Sequence, residues 1–318
     1  MRGKVFFTSG GARCAAWHYP GDNGACVVMA GGFAMAKEPA TDLFARRFQE
    51  AGFGALAFDY RGFGQSGGEP RQVAPVRSAL RDWRAALGFA ASLPGVDPAR
   101  VAAWSFSVGA GHVMRVAAEG GARLAAIVAQ TPNADGSASA RIAGRYQRPG
   151  AMLRFTARAV LDAAGSLVGR APLLVPLVGE PGTVAMLTTP DAREGSAALT
   201  ADGRYPHWRQ EVAARSALRL VFYRPGRAAS RIRCPLLVVV CDEDRSAAPG
   251  PALDAARRAP HGELVRLPGA GHYAPFFEAH EQALRAQLAF LRRHLLGEER
   301  RAAPLSSGPA RDAGGGRA

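Results

Sequence analysis

Short apolar runs that alternate with longer amphipathic segments constrain the fold of this chain more than any other feature of its sequence. Each run is continuous and bounded by Gly or Pro, as expected for strands that are covered on both faces of a sheet. Strands that alternate with helices predict an α/β protein with a doubly wound, mostly parallel sheet. The six runs are residues 26–30, 54–60, 100–106, 124–130, 235–241 and 262–269.

Three parts of the sequence depart from this alternation. The opening stretch "KVFFTSGGARCAAWHYP" has two short apolar runs around "SGGA", which predicts an antiparallel hairpin at the sheet edge. After residue 130 the next predicted strand begins only at residue 235, far beyond the dozen or so residues that a crossover needs. We therefore predict a helical cap insertion over residues 133–230, with residues 1–132 and 231–296 forming the core. The tail, residues 297–318, is rich in Gly, Ala and Pro and is predicted to be disordered.

Charge and composition limit the classes of partner. The formal net charge of +14 raises the question of nucleic-acid binding. The cations are almost all arginines scattered singly, without a dense basic run, so we expect no nucleic-acid partner. No apolar run is long enough to span a membrane, and the first residues lack the apolar region of a secretory signal. Four dispersed cysteines, none in a CxxC pair, argue against a zinc site and fit a reducing compartment, so a cytoplasmic protein is expected.

The stretch "VAAWSFSVGAGH", residues 101–112, contains two serines where a predicted strand leads into a helix. A serine at such a turn is exposed at the top of the sheet, and its neighbours two residues away must be small because the backbone is tightly folded. Ser107 has Ser105 and Gly109 at those positions, and glycine is the most permissive residue. A turn at Ser107 also leaves a strand of six residues, a common length, whereas a turn at Ser105 leaves four. We predict Ser107 as a nucleophile, with Ser105 as the alternative.

Two later segments supply partners for this serine. The order serine, acid, histidine along the chain is the one that such a strand-to-helix nucleophile requires. Three acids follow the run at residues 235–241 in "CDEDRSAAP", and His272 follows the run at 262–269 in "LPGAGHYAPF". One acid must accept the Nδ1–H of His272 and orient the ring. Asp244, at the start of the loop, is preferred over Asp242.

The stretch "FDYRGFGQSGGEP", residues 58–70, together with the serine, acid and histidine, resembles the α/β-hydrolase fold family. Within it the resemblance is closest to bacterial cap-bearing esterase-like and acyl-peptidase-like hydrolases, and it covers about residues 5–296. The family's acid stands in a Gly-x-x-Asp turn, which residues 241–244 match with Cys in place of Gly. Residues 59–61 are interpreted as structural turn and ion-pair residues.

The resemblance also implies an oxyanion hole. The family's loop after the first long parallel strand reads His-Gly-x, whereas residues 31–33 here read Gly-Gly-Phe. The donors would be the backbone N–H groups of Phe33 and Val108. Because backbone donors survive changes of side chain, the missing histidine does not remove the hole.

These residues predict a serine hydrolase that cleaves an ester, thioester or amide of a fairly apolar small molecule through an acyl-enzyme. Ser107 would attack the carbonyl, His272 would carry the proton, and Asp244 would orient His272, with no metal or cofactor. An acyltransferase or a lyase would use the same three residues. A non-catalytic ligand-binding protein on this fold would leave Ser107 unreactive.

Three residues of the predicted cap are candidate substrate contacts. Asn133 follows the fourth apolar run at the cap entrance, and His207 and Trp208 lie inside the cap, where they would line the acyl pocket or simply pack. His112 lies five residues after Ser107, which is about 140° around a helix. It is therefore predicted to be a packed core histidine that points away from the nucleophile.

Overall fold

The computed structural model of the chain describes residues 1–121, 123–201 and 203–298, and an eight-stranded sheet forms its centre. The strands of this sheet are β1 (Gly3–Ser9), β2 (Ala12–Tyr19), β3 (Cys26–Ala30), β4 (Gly54–Phe58), β5 (Val101–Phe106), β6 (Ala126–Gln130), β9 (Leu236–Cys241) and β10 (Gly262–Leu267). They lie in the order β1-β2-β4-β3-β5-β6-β9-β10, and a separate small sheet pairs β7 (Leu174–Pro176) with β8 (Glu211–Ala213). All neighbours from β4 to β10 are parallel, and β1 and β2 form the antiparallel hairpin at one edge. The predicted sheet and hairpin are confirmed.

The middle of the sheet is covered on both sides. Strands β3, β4, β5, β6 and β9 are buried at every residue, and successive side chains of a strand point to opposite faces. Strand β10 differs, because it is an edge strand in which exposed and half-buried residues alternate up to the buried Leu267. The prediction that the run at 262–269 is covered on both faces was therefore wrong.

Helices surround the sheet and fill the long gap between β6 and β9. The helices outside that gap are α1 (Lys37–Glu50), α2 (Val76–Ala91), α3 (Ser107–Glu119), α8 (Pro249–Arg258) and α9 (His280–Leu291). The helices within it are α4 (Gly136–Ala143), α5 (Pro149–Leu167), α6 (Pro190–Thr200) and α7 (Ser216–Leu220). In α1, Phe44 and Phe48 lie four residues apart on one face and are fully buried, whereas Leu43 beside them is 37% exposed.

Residues 133–230, here called the insertion, stand outside the main sheet. Its first helix, α4, starts at Asp135, whose carboxylate accepts the N–H groups of Ser137 and Ala138 as an N-cap. An ion pair joins the buried Asp162 of α5 to the half-buried Arg215 just before α7, with Arg215 Nη1 at 2.9 Å from Asp162 Oδ1. The insertion thus has polar contacts of its own that hold its helices together.

No helix in the described part of the chain is long and apolar enough to cross a membrane. All four cysteines are unpaired. Of the tail that is predicted to be disordered, residues 299–318 lie outside the described residues.

Candidate active site

Ser107 lies at the turn from β5 into α3, and its φ angle is +58°. Residues other than glycine rarely adopt this left-handed conformation, and a serine in it at the end of a strand presents its Oγ above the sheet. Gly109 is required two residues later, because a Cβ there would lie 2.3 Å from both the Gly31 carbonyl oxygen and Ser105 Oγ. The sharp turn and its glycine are the local geometry of a nucleophile elbow.

Ser105 occupies a different place from Ser107. Its side chain is fully buried, and Ser105 Oγ donates to the Ala30 carbonyl oxygen at 2.8 Å. This bond joins β5 to the end of β3, at the point where residues 31–33 begin. The structure therefore gives Ser105 a structural contact beneath the elbow.

Ser107, His272 and Asp244 form a continuous hydrogen-bonded chain. His272 Nε2 lies 3.0 Å from Ser107 Oγ, and His272 Nδ1 lies 2.6 Å from Asp244 Oδ2. Both His272 and Asp244 are buried. The N–H groups of Ser246 and Ala247 donate to Asp244 Oδ1 at 2.9 and 2.6 Å, which fixes the carboxylate. This arrangement allows Nε2 to accept a proton from Ser107 while Nδ1–H donates to Asp244.

Asp242, the alternative acid, belongs to another contact. Its two carboxylate oxygens each accept a hydrogen bond from Arg266 at 3.0 Å on the neighbouring strand β10. The imidazole of His272 packs instead against Phe106, with ring centroids 4.6 Å apart. The structure thus brings Asp244, rather than Asp242, to the histidine.

The candidate oxyanion donors lie close to Ser107. Val108 is the second residue of α3, so its N–H has no acceptor within the helix. Gly32, beside Phe33, approaches the elbow so closely that a Cβ on it would lie 3.2 Å from Ser107 Cβ. Ala34 then has a φ angle of +55°, and its carbonyl oxygen accepts the indole N–H of Trp208 at 3.0 Å. The insertion therefore supports the loop that carries Phe33.

A cavity of about 440 Å³ lies within the insertion, and Ser246 of the core completes its lining. Its volume is within the range of about 300–1,000 Å³ found for small-molecule sites, and its lining is mainly apolar. Ser107 is outside the lining, but Asn133 and Ser246 connect the cavity to the hydrogen-bonded chain. The Asn133 N–H donates to the Ser107 carbonyl oxygen at 3.0 Å, and the Ser246 N–H donates to Asp244. The cavity is therefore an immediate neighbour of Ser107.

The other predicted contacts have different surroundings. His207 is exposed to solvent, and Trp208 is buried against Ala34, so neither belongs to the lining of this cavity. Of the two roles that the sequence left open for them, Trp208 packs against the loop that carries Phe33, and His207 neither packs nor lines the cavity. His112 is buried beside Tyr223, with Nδ1 at 3.1 Å from the hydroxyl, and burial lowers the pKa of His112 to about 3. As predicted, it is a packed histidine, neutral near pH 7, and it borders a second cavity of only about 30 Å³.

Asp191 is a second carboxylate near His272, and the sequence patterns did not indicate it. It lies in the first turn of α6, where its Oδ2 accepts the Arg245 N–H at 2.8 Å and its Oδ1 accepts the Ser246 hydroxyl at 2.8 Å. Because the Ser246 N–H donates to Asp244, Ser246 links the two carboxylates. An acid in the first turn of a helix is ordinary at the positive end of the helix dipole, so Asp191 carries no local signal of a role.

The two carboxylates determine the basicity of the histidine. Burial alone would lower the pKa of His272, but the charges of Asp244 and Asp191 outweigh burial and raise this pKa above its ordinary value. Burial would raise the pKa of Asp191, but His272, the Arg245 N–H and the Ser246 hydroxyl lower it overall. Asp191 therefore remains ionised and stabilises a protonated His272.

Replacing Asp191 with asparagine is expected to shift the acid limb of the kcat/KM profile to lower pH. A general base works only in its neutral form, so the limb follows the pKa of His272, and removing one nearby negative charge lowers that pKa. Kinetics across the acid range measure the shift. Glu194→Gln is the matched control, because it removes an exposed charge from the same helix. An unmoved limb in Asp191→Asn, or equal shifts in both variants, would contradict this assignment.

Known proteins resemble this chain over most of its length. The family model described as serine aminopeptidase, S33, matches residues 21–279. The quorum-quenching protein AidA of Acinetobacter baumannii is 38% identical over 294 residues, which cover 91% of this chain and 94% of AidA. Polyketide transferase ATR5 of Stachybotrys chlorohalonatus is 30% identical over 242 residues, 75% of this chain and 78% of ATR5.

A solved structure agrees with these sequence relationships. The crystal structure of the alpha/beta hydrolase GrgF from Penicillium sp. sh18 superposes with a TM-score of 0.79 at 27% identity, and the match covers 93% of this chain and 99% of GrgF. The α/β-hydrolase fold predicted from the sequence is confirmed. The match to residues 21–279 places the chain in the serine aminopeptidase S33 family of α/β hydrolases.

Proposed function

We propose that this enzyme cleaves an ester, thioester or amide of an apolar small molecule through an acyl-enzyme on Ser107. The observation that carries the proposal is the chain of hydrogen bonds from Ser107 Oγ through His272 to Asp244, at 3.0 and 2.6 Å. Such a chain lets the hydroxyl lose its proton to the imidazole as it attacks a carbonyl carbon. The adjoining cavity of about 440 Å³ supports an apolar acyl group as the part of the substrate that is recognised.

The proposed reaction has two halves. In the first, Ser107 Oγ bonds to the carbonyl carbon, His272 Nε2 takes the proton, and the oxyanion is stabilised by the N–H groups of Phe33 and Val108. The intermediate then collapses, and the leaving group departs with the proton from His272. In the second, His272 deprotonates water, which attacks the acyl carbon. The bond from that carbon to Ser107 Oγ then breaks, His272 returns the proton to Oγ, and the acid is released. Each oxyanion donor would contribute about 3–4 kcal/mol to stabilising the transition state, and Asp244 stabilises the imidazolium throughout.

Acyl transfer is the second candidate, because a relative that is 30% identical is named a polyketide transferase. In that reaction an alcohol, amine or thiol replaces water as the acceptor of the acyl group from Ser107. Adding a primary alcohol during turnover of a p-nitrophenyl ester distinguishes hydrolysis from acyl transfer. The total p-nitrophenol released measures acylation of Ser107, and the ratio of new ester to free acid shows whether the alcohol or water accepts the acyl group. Free acid as the main product supports hydrolysis, and new ester in large excess supports transfer.

The likeness to AidA suggests a signalling molecule as the natural substrate. AidA is named a quorum-quenching protein and is 38% identical to this chain over 294 aligned residues. A quorum-sensing reporter strain, exposed to signal that was first incubated with wild type or Ser107→Ala, tests this suggestion. Loss of the reporter signal after incubation with wild type but not with Ser107→Ala supports a signalling molecule as substrate. Equal signal after both incubations contradicts this suggestion but does not contradict the hydrolase proposal.

Narrowing the cavity is expected to change the preferred acyl length. Ala143→Leu adds bulk to the lining, so kcat/KM for medium-chain p-nitrophenyl esters should fall by about tenfold or more, while that for the acetate stays nearly unchanged. Ala138→Leu, a half-buried position of the same helix outside the lining, is the matched control. An equal loss across all chain lengths would show that this cavity does not hold the acyl group.

A cytoplasmic site of action is proposed on the basis of the cysteines. All four are free, and Cys14, Cys26 and Cys241 are buried in the core. Unpaired buried thiols suit a reducing compartment.

A further inference from the structure

The outer face of α5 exposes large apolar side chains along nearly its whole length. Leu153 is 73% exposed, Val160 53%, Leu161 65% and Leu167 87%. Nine of the thirteen large apolar side chains that are exposed in the described residues lie in the insertion, so the excess is local and not a general property of the surface. Contiguous exposed apolar patches mark interaction sites on soluble proteins.

This face is distinct from the one by which α5 joins the molecule. The buried residues of the helix are Ala151, Ala159 and Asp162, and Phe155 is half-buried among them. At about 100° per residue, these positions lie on the side of the helix opposite Leu153 and Val160. A helix that is apolar on both sides is one whose second side is normally covered.

The spacing on the exposed side indicates what covers it. Leu153, Ala157, Val160, Ala164 and Leu167 follow one another at intervals of four, three, four and three residues, and all five are exposed. This is the heptad pattern with which one helix packs along another, knobs into holes. We call these five residues the α5 seam. It is about 21 Å long at 1.5 Å per residue.

The α5 seam is nearly symmetric about its centre. Reading outwards from Val160, each direction meets an alanine after three or four residues and a leucine after seven. An interface between two identical chains about a twofold axis needs this property, because the same patch must fit itself with the helices antiparallel. With the axis at Val160, Leu153 of one copy faces Leu167 of the other, and the alanines let the two helices approach closely.

We propose that two copies of this chain form a dimer by packing their α5 seams antiparallel about a twofold axis at Val160. The arginines of α5 do not oppose this arrangement, because Arg154 lies opposite the segment around Ser166 of the other copy and not opposite a second Arg154. An anionic lipid surface is the other occupant that an apolar helix face suggests. It is disfavoured here because the two cations of α5, Arg154 and Arg158, donate to the carbonyl oxygens of Gly182 and Leu174 and are directed at the protein itself.

The first test measures the mass of the full chain in solution by sedimentation velocity over low to high micromolar concentrations. Wild type should dimerise reversibly. Val160→Arg places two like charges on the axis and should raise the dimer Kd by about thirtyfold or more, as expected for the centre of an interface. Leu43→Arg, an exposed leucine on α1, is the matched control and should leave the Kd unchanged. Wild type that stays monomeric, or equal effects of both variants, would overturn the proposal.

The second test reads the register of the two helices. Val160→Cys lies on the axis and should form a covalent dimer under mild oxidation, because a disulfide needs Cα atoms within about 7 Å. Leu153→Cys alone should form no covalent dimer, whereas a mixture of Leu153→Cys with Leu167→Cys should form one, because these two positions face each other across the axis. Wild type controls for the native cysteines. Covalent dimers from Leu153→Cys alone, together with none from Val160→Cys, would reject the antiparallel register. If wild type forms no dimer but floats with phosphatidylglycerol vesicles, and Val160→Arg does not float, the exposed face of α5 binds lipid instead.

Discussion

Replacing Ser107 with alanine is expected to lower kcat/KM for p-nitrophenyl esters by about 10⁴- to 10⁶-fold. The variant has no group to form the acyl-enzyme, while His272 keeps its bond to Asp244 at 2.6 Å and the cavity is unaltered. Its fold should therefore match that of wild type by circular dichroism and thermal unfolding. Steady-state kinetics on the purified variant give the ratio directly.

Ser105→Ala is the matched control, and its expected result is of the opposite kind. The substitution removes a buried hydrogen bond to the Ala30 carbonyl oxygen, which should lower the free energy of unfolding by about 1–3 kcal/mol. The nucleophile remains, so kcat/KM should stay within about tenfold of wild type. A large loss of activity in Ser105→Ala with little loss in Ser107→Ala would reverse the assignment of the two serines.

Replacing Asp59 with alanine is expected to lower the free energy of unfolding by about 3–5 kcal/mol. Lys37 is fully buried, and its ammonium lies 2.8 Å from Asp59 Oδ2. The same carboxylate accepts the backbone N–H groups of Lys37 and Gln65 at 2.7 and 2.9 Å. Without Asp59 the ammonium keeps Gln65 Oε1 at 3.0 Å and Glu38 Oε1 at 3.2 Å, and two backbone donors lose their acceptor. Urea unfolding of wild type and variant measures the difference.

Two further variants test whether the loss of stability in Asp59→Ala comes from the broken ion pair and not from removing a carboxylate in general. Adding Lys37→Met to Asp59→Ala removes the buried ammonium that has lost its closest carboxylate and should recover part of the lost stability. Asp254→Ala removes an exposed carboxylate that pairs with Arg257, and such surface pairs contribute little, so no measurable change is expected. If Asp59→Ala costs no more than Asp254→Ala, the buried ion pair does not stabilise the fold.

The parts of the molecule that sequence patterns predicted are those encoded by neighbouring residues. The apolar runs identify the strands because a strand covered on both faces needs continuous apolar residues, and the strands within five of the six runs are buried at every residue. The elbow could be located because Gly109 and the length of β5 are both local. The run at residues 54–60 proved two residues too long, since Asp59 leaves the strand to bind Lys37. His272 and Asp244 could be selected as candidates because each lies in a loop directly after a predicted strand.

What the patterns did not indicate depends on contacts between distant segments. Asp191 reaches the surroundings of His272 only because α6 packs on that loop, where a Cβ on Gly195 would overlap the ring of Tyr273. Lys37 is an isolated lysine in the sequence, and its burial follows from Asp59. His207 and Trp208 are adjacent in the chain, yet one is exposed and the other buried, since their environments are set by the folded insertion. Periodicity alone carries no information on such contacts.

The most direct measurement of the proposed chemistry is labelling with a fluorophosphonate, which bonds covalently to an activated serine. Intact-mass spectrometry followed by peptide mapping should find one adduct, on Ser107, in wild type and in Ser105→Ala, and none in Ser107→Ala. An adduct that persists in Ser107→Ala and disappears in Ser105→Ala would place the nucleophile on Ser105. Wild type that takes up no label would contradict an acyl-enzyme on this chain.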